Sequence, residues 1–387
     1  MPRSRHSLHK AVDLTPEHRA AIQAAAAQLI RRRPLAPAVA PGVAGVTANY
    51  EFPLTTVSLN SNFDAYISAS FTGSPAGWSV ALLVDSGNST LIIPRWEDIQ
   101  SIPGYQTSYT VLGQASEPWG RPANIVKGPI ELIDKNGALL VIKDCVFYAC
   151  TGDSPSEGSR TANFGAGCLN PWTASAWNTP PGIGVTMQAP LSYCEFSCAE
   201  FDYAPAAELM RGRGASAVLA GNSFLRLYSV APAGYTMLDI VPNCIWMSVV
   251  PKSLIIGGSL TQWPGPAAGI AMVDTGGGPV FLSDPDGYVY SKQWPDDVAN
   301  PGWAADSVSC QSTQASVGVQ LGDPKASYSY TIDDSAFPPA AQGLTLVMCE
   351  QNEYMMGQRG MNIGGISALV NCILIDFANK RVGFKAK

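Results

Sequence analysis

A chain of 387 residues exceeds what one hydrophobic core usually holds, so two core units are expected. Thirty-seven glycines and 30 prolines, against 14% charged residues, exclude a helical bundle and favour short strands joined by turns. Residues 1–50 carry a net +5 and the remainder −11, so the body is no partner for nucleic acid, whereas the basic arm has an acidic surface to dock on.

Within the arm, residues 15–32 read as a helix, with Thr15 as N-cap, Pro16 at the first helical position and an alanine-rich run behind them. Residues 34–47, with three prolines and two glycines, read as a linker. The positive cluster Arg31–Arg33 follows the apolar run instead of preceding it, unlike a secretory signal. The expectation is a protein that is intracellular, or secreted by a route not visible in this chain. No apolar run approaches the ~18 residues of a membrane span.

All three histidines, His6, His9 and His18, lie in the arm. A Ser-His-Asp, Cys-His or histidine-zinc site in the body is thereby excluded. Acid–base chemistry there falls to carboxylates, or to a strongly perturbed Lys, Cys or Tyr. From Tyr50 onward, apolar runs at 65–71, 80–84, 90–94, 138–149, 217–221, 252–258 and 371–377, bounded by turn residues, read as strands. The last continues into a hairpin turned at Asn379-Lys380. Nine cysteines leave at least one thiol unpaired in a monomer. The spacings Cys145–Cys150 and Cys194–Cys198 each allow a tight bridge, and neither pair has a metal-site signature, so no cofactor or metal is expected.

An internal repeat organises the rest. Val84-Asp85-Ser86-Gly87 recurs 189 residues later as Val273-Asp274-Thr275-Gly276, and an apolar run precedes and follows each copy. Further on, Asn163-Phe164-Gly165 matches Asn362-Ile363-Gly364. One Asp-Ser/Thr-Gly triplet is usually a turn. Two in matched contexts, half a chain apart, resemble the pepsin-like aspartic proteases over roughly residues 50–387.

The resemblance implies an all-β, bilobal fold with an interlobe cleft and a short helical N-terminal arm. Its divisions are a basic, propeptide-like arm (1–49), an N-terminal lobe (50–227) and a C-terminal lobe (228–387). The catalytic pair would be Asp85 and Asp274, with Gly87 and Gly276 permitting close approach and the hydroxyls of Ser86 and Thr275 cross-linking the two loops. It also implies a Cys310–Cys349 disulfide, an inhibitory role for the arm, a monomer, and a peptide or protein substrate cut by an aspartic endopeptidase at acidic pH.

Four positions depart from the pattern. Asn88 and Gly277 stand where the family has hydroxyls that bond the outer carboxylate oxygens, and of the two only Asn88 has a side chain that can donate. Trp119-Gly120 stands in for the Tyr-Gly pair of the flap, and Gly365 replaces an acidic residue. Two rival readings keep the fold and drop proteolysis: a binding or inhibitor protein, or a non-proteolytic acid–base enzyme acting on a small molecule.

Overall fold

A computed structural model of the chain describes residues 44–387 except 60–61, 118–119, 153–161, 168–179, 181, 205–208, 212–215, 220–222, 242–246, 257–258, 263–268, 278–279, 284–308, 313–315, 334–346 and 351–359. The predicted helix at 15–32, nearly all of the arm, and Trp119 therefore lie outside the described residues. What is described is all-β: among these residues the helices are the single turn Trp96–Gln100 and three 3-10 turns of three to five residues.

The strands form where the apolar runs were read, for two different physical reasons. Along Asn62–Phe71, Ala65, Ile67, Ala69 and Phe71 are buried while Tyr66, Ser68 and Ser70 are not. That is the period-two pattern of a strand with one covered face. Along Val80–Asp85, by contrast, Leu82, Leu83 and Val84 are all buried. A strand covered on both faces loses the alternation and reads as a continuous apolar run.

The C-terminal hairpin pairs Asn371–Asp376 with Arg381–Ala386 and turns through Lys380, which adopts a φ of 54°. It docks on Cys198–Asp202, placing Ile373 opposite Phe201, and the same sheet continues through Ser223–Tyr228 to Tyr50–Leu59. The last strands of the chain thus complete the sheet that its first described strand begins. One apolar cluster joins residues of both halves, among them Phe52, Val84, Phe164, Val273, Ile363 and Phe384.

Each half also contains the same threaded arrangement. Val80–Asp85 runs parallel to Asn163–Gly165, which runs antiparallel to Leu91–Ile93, itself parallel to Leu139–Cys150. In the second half, Ile270–Met272 runs parallel to Gly360–Asn362, which runs antiparallel to Val280–Ser283, itself parallel to Val347–Glu350. The registers agree: Asn163 lies opposite Leu83, two residues before Asp85, and Asn362 lies opposite Met272, two residues before Asp274. A late segment is therefore inserted between the two strands flanking each aspartate turn.

The cysteines correct one expectation. Cys145, Cys150, Cys194 and Cys198 are free thiols, as is Cys372. Cys145 and Cys150 lie five residues apart on the same strand, roughly 16 Å at the rise of an extended chain, far beyond disulfide reach. Around Cys198 the chain is already extended along the sheet, since Ser197 donates to the Tyr228 carbonyl and accepts from Phe377 N–H. Cys194 closes a separate 3-10 turn. Cys310 and Cys349 are directly opposed partners in the antiparallel pair Ser309–Ser312 and Val347–Glu350. Residues so opposed have Cα atoms about 4.5–5.5 Å apart, within the range a disulfide spans.

The threading leaves no room at Gly165, where a β-carbon would lie 2.3 Å from the Thr90 nitrogen and 2.5 Å from its carbonyl oxygen. Gly165→Ala is expected to lower stability by about 3 kcal/mol, because the obstacle is backbone. Urea unfolding of the variant checks this, and an unchanged midpoint would show that the inserted strand is not packed this tightly.

Candidate functional site

The two aspartate turns meet across the halves, joined by four hydrogen bonds in two matched sets. Ser86 Oγ donates to the Val273 carbonyl at 2.9 Å and accepts from Thr275 N–H at 2.9 Å. Thr275 Oγ1 donates to the Val84 carbonyl at 3.1 Å and accepts from Ser86 N–H at 3.1 Å. Both side chains are buried, at 1% and 0% exposed. Each hydroxyl thus satisfies one donor and one acceptor of the opposite main chain, something a carboxamide or an alkyl group of similar size cannot do at one atom.

Because the turns abut, their aspartates converge. A β-carbon on Gly87 would lie 2.6 Å from Asp274 Cγ, and one on Gly276 would lie 2.6 Å from Asp85 Cγ. Glycine at both places is what lets each carboxyl rest on the opposing main chain. Asp274 is 8% exposed, Asp85 is partly open, and the two carboxyl groups are within hydrogen-bonding reach of each other. Two carboxyl groups held this close disfavour joint ionisation.

The hydrogen bonds to the pair are nearly symmetric. Gly87 N–H donates to Asp85 Oδ1 at 2.8 Å, and Gly276 N–H donates to Asp274 Oδ1 at 3.0 Å. The Oδ2 atoms are served from the inserted strands: Asn163 Nδ2 donates to Asp85 at 2.7 Å and Asn362 Nδ2 to Asp274 at 2.6 Å. Burial, and then the adjacent Asp274 carboxyl, hold the Asp85 carboxyl well above the usual carboxylate range, against the opposing pull of the Asn163 and Gly87 donors.

These amides explain the departures at Asn88 and Gly277. The Asn88 side chain does not reach a carboxylate: its Oδ1 accepts from the N–H and hydroxyl of Thr90, both at 2.9 Å, closing the turn locally. This corrects the reading of Asn88 as a donor to the dyad. Gly277 leaves space, since a β-carbon there would lie 3.0 Å from Asp274 Oδ2 and 3.1 Å from Asn362 Nδ2. The main chain of both residues holds the inserted strands, with Gly167 N–H donating to the Asn88 carbonyl and Gly365 N–H to the Gly277 carbonyl. The sequence reading matched Asn163 and Asn362 as parts of a repeat without assigning them a role. The available signal was a polar residue at the same place in two strands that are otherwise apolar and buried.

Thr110–Ser116 and Pro122–Ile133 form the hairpin whose turn holds the Trp119-Gly120 pair in sequence. At its turn, Glu117 Oε1 accepts from Arg121 N–H at 2.8 Å, and both side chains are buried. Trp119 lies between them in sequence, outside the described residues. No group of acidic, cysteine and histidine side chains suited to a metal ion occurs among the described residues. No protein-family model matches the chain, and no curated protein matches it.

Two predictions follow from this geometry. Ser86→Ala leaves Thr275 N–H buried without an acceptor, so it is expected to lower stability by about 1–3 kcal/mol, and Thr275→Val to do the same. The double variant should cost less than the sum, because both changes break the same junction; additive losses in denaturant unfolding would mean that the two hydroxyls act separately.

The second concerns pH. Asp85 binds its proton more tightly in the folded chain than in the unfolded one, so its contribution to stability is present at low pH and is lost as pH rises through the raised pKa. Asp85→Asn removes that loss. The variant should melt above the parent protein at pH 7 and close to it at pH 3.5, and an equal offset at both pH values would contradict a raised Asp85.

Proposed function

We propose that this chain is an aspartic endopeptidase of the pepsin-like kind, with residues 50–227 and 228–387 as two β lobes and the Asp85–Asp274 pair in the cleft between them. The observation that carries the reading is the pair itself: two carboxyl groups on equivalent turns, cross-linked beneath by Ser86 and Thr275 and each held by one main-chain and one carboxamide donor. Such a pair keeps one proton between two acids at pH values where separate aspartates have lost theirs. (The aspartic-protease dyad is a standard example of this effect.)

The chemistry that such a pair supports is direct hydrolysis. The ionised carboxylate takes a proton from a water molecule as its oxygen attacks the scissile carbonyl carbon, and the protonated partner gives its proton to the carbonyl oxygen. The resulting diol collapses, the C–N bond breaks, and a proton passes to the leaving nitrogen, yielding a carboxylic acid and an amine. No histidine is required, in keeping with a body that contains none. The substrate is an extended peptide lying across the cleft, the protein acts as a monomer, and the basic arm restrains it until acid or cleavage releases it. A Cys310–Cys349 disulfide belongs to the same reading, on two strands whose register sets these residues opposite each other.

The test is hydrolysis of an unstructured peptide at pH 4 and pH 7 by the full chain and by a version beginning at Val46, which keeps the main-chain bond from Asn49 N–H to the Leu227 carbonyl. The expected result is cleavage favoured at pH 4, faster in the shortened form, blocked by a pepstatin-type inhibitor and reduced at least about 10²–10⁴-fold by Asp85→Asn or Asp274→Asn. If neither form cleaves the peptide at either pH, the proteolytic reading falls and the binding or small-molecule reading replaces it.

A further inference from the structure

The sheet sorts its thiols into different surroundings. Along Leu139–Cys150, alternation turns Cys145 toward the large apolar cluster shared by both halves, together with Phe147 and Ala149. Cys150 faces the other way, into a smaller cluster with Val146 and Tyr148. Cys194 packs against the large cluster, whereas Cys198 belongs to a third, with Tyr228 and Leu374. Among the described free thiols, only Cys145 and Cys194 therefore share one apolar cluster, although they stand 49 residues apart in sequence.

Hydrogen bonds beside both cysteines fix this meeting. The 3-10 turn Pro190–Tyr193 lies against Leu139–Cys150, with Cα atoms of the two segments within 8 Å of each other. Val146 N–H, next to Cys145, donates to Tyr193 Oη at 3.3 Å, and Cys194 N–H donates to the Leu191 carbonyl at 3.1 Å. Cys145 is fully buried, while Cys194 is partly open to solvent. Burial pushes the Cys194 thiol up to about 11. Burial raises Cys145 further, and the charge on Cys194, which ionises first, adds to that rise. The two sulfurs are thus near enough for one to feel the other's charge.

We propose that Cys145 and Cys194 are an oxidisable pair, which a small-molecule disulfide converts into an intramolecular disulfide bond. Cys194, the accessible member, loses its proton and attacks the external disulfide, forming a mixed disulfide and releasing one small thiol. Cys145 then gives up its proton as its sulfur attacks Cys194 Sγ, and the second small thiol leaves. Two protein thiols are oxidised, and one external disulfide is reduced to two thiols. The bond ties Leu139–Cys150 to the segment that carries Ile183, packed over Gly113, and Met187, packed in one cluster with Ile125. Both contacts lie on the hairpin that begins at Thr110, so oxidation braces that hairpin through the segment supporting it. The long loop that the bond closes also restricts the unfolded chain, which stabilises the fold. None of this depends on peptide hydrolysis.

The experiment exposes the reduced, folded full chain to oxidised glutathione at pH 8 for a day, alkylates the remaining thiols and maps the cross-links by mass spectrometry without reduction. The expected product is a peptide joining Cys145 to Cys194, with a thermal midpoint about 5 °C above that of the reduced protein. Cys194→Ala should abolish both the cross-link and the shift, and Cys150→Ala should leave both intact. Glutathione retained on Cys194, a bridge from either residue to another cysteine, or no reaction at either residue would overturn the pairing. The map of the unsubstituted protein decides by itself if a variant does not fold.

Discussion

Ser86 and Thr275 each bond the main chain of the opposite turn, as donor to a carbonyl and as acceptor from an N–H, and the positions of all the groups above them follow from that junction. With the turns locked back to back, Asp85 and Asp274 have no separate surroundings. Each carboxyl rests against the glycine that follows the other aspartate, and each feels the other's charge in a setting poorly screened by water. Hydroxyls are suited to the task because one small group must give and take a hydrogen bond at the same point. The junction is also where the two halves of the chain, 189 residues apart in sequence, are brought into register.

The carboxyl pair works against the fold that holds it. Two closely packed acids disfavour the doubly ionised state, so the native protein gives up stability as pH rises through the raised pKa of Asp85. The opposing contributions come from donors set in place before any ligand arrives: Gly87 and Gly276 on the Oδ1 atoms, Asn163 and Asn362 on the Oδ2 atoms. The amides are themselves placed by the threading of Asn163–Gly165 and Gly360–Asn362 between the strands that flank the aspartates, a packing so close that Gly165 has no room for a methyl group.

Much of this was legible in the sequence because it is local or repeated. The strands follow from apolar runs between turn residues, and the two aspartates from a triplet that occurs twice in like surroundings. The turn at Asn379-Lys380 was legible too, although it is Lys380 that takes the left-handed conformation. The side-chain donors to the Oδ2 atoms were not legible. A family pattern directs attention to the residue after each triplet, and here those residues, Asn88 and Gly277, do other work: one closes a turn on Thr90 and the other makes space. The groups that replace them come from 75 and 85 residues further along the chain, and only the strand register brings them to the carboxylates. The local cysteine spacings misled for a related reason, since closeness in sequence is distance in space once the chain is extended.

A difference proton count measures most directly whether Asp85 and Asp274 hold a single proton together. Potentiometric titration of the native protein and of the Asp85→Asn/Asp274→Asn double variant compares bound protons at each pH. At pH 5, where isolated aspartates are ionised, the unsubstituted protein should bind measurably more protons than the variant. Identical counts for the two proteins at that pH would mean that both carboxyls ionise independently, and would contradict the coupled pair on which the rest stands.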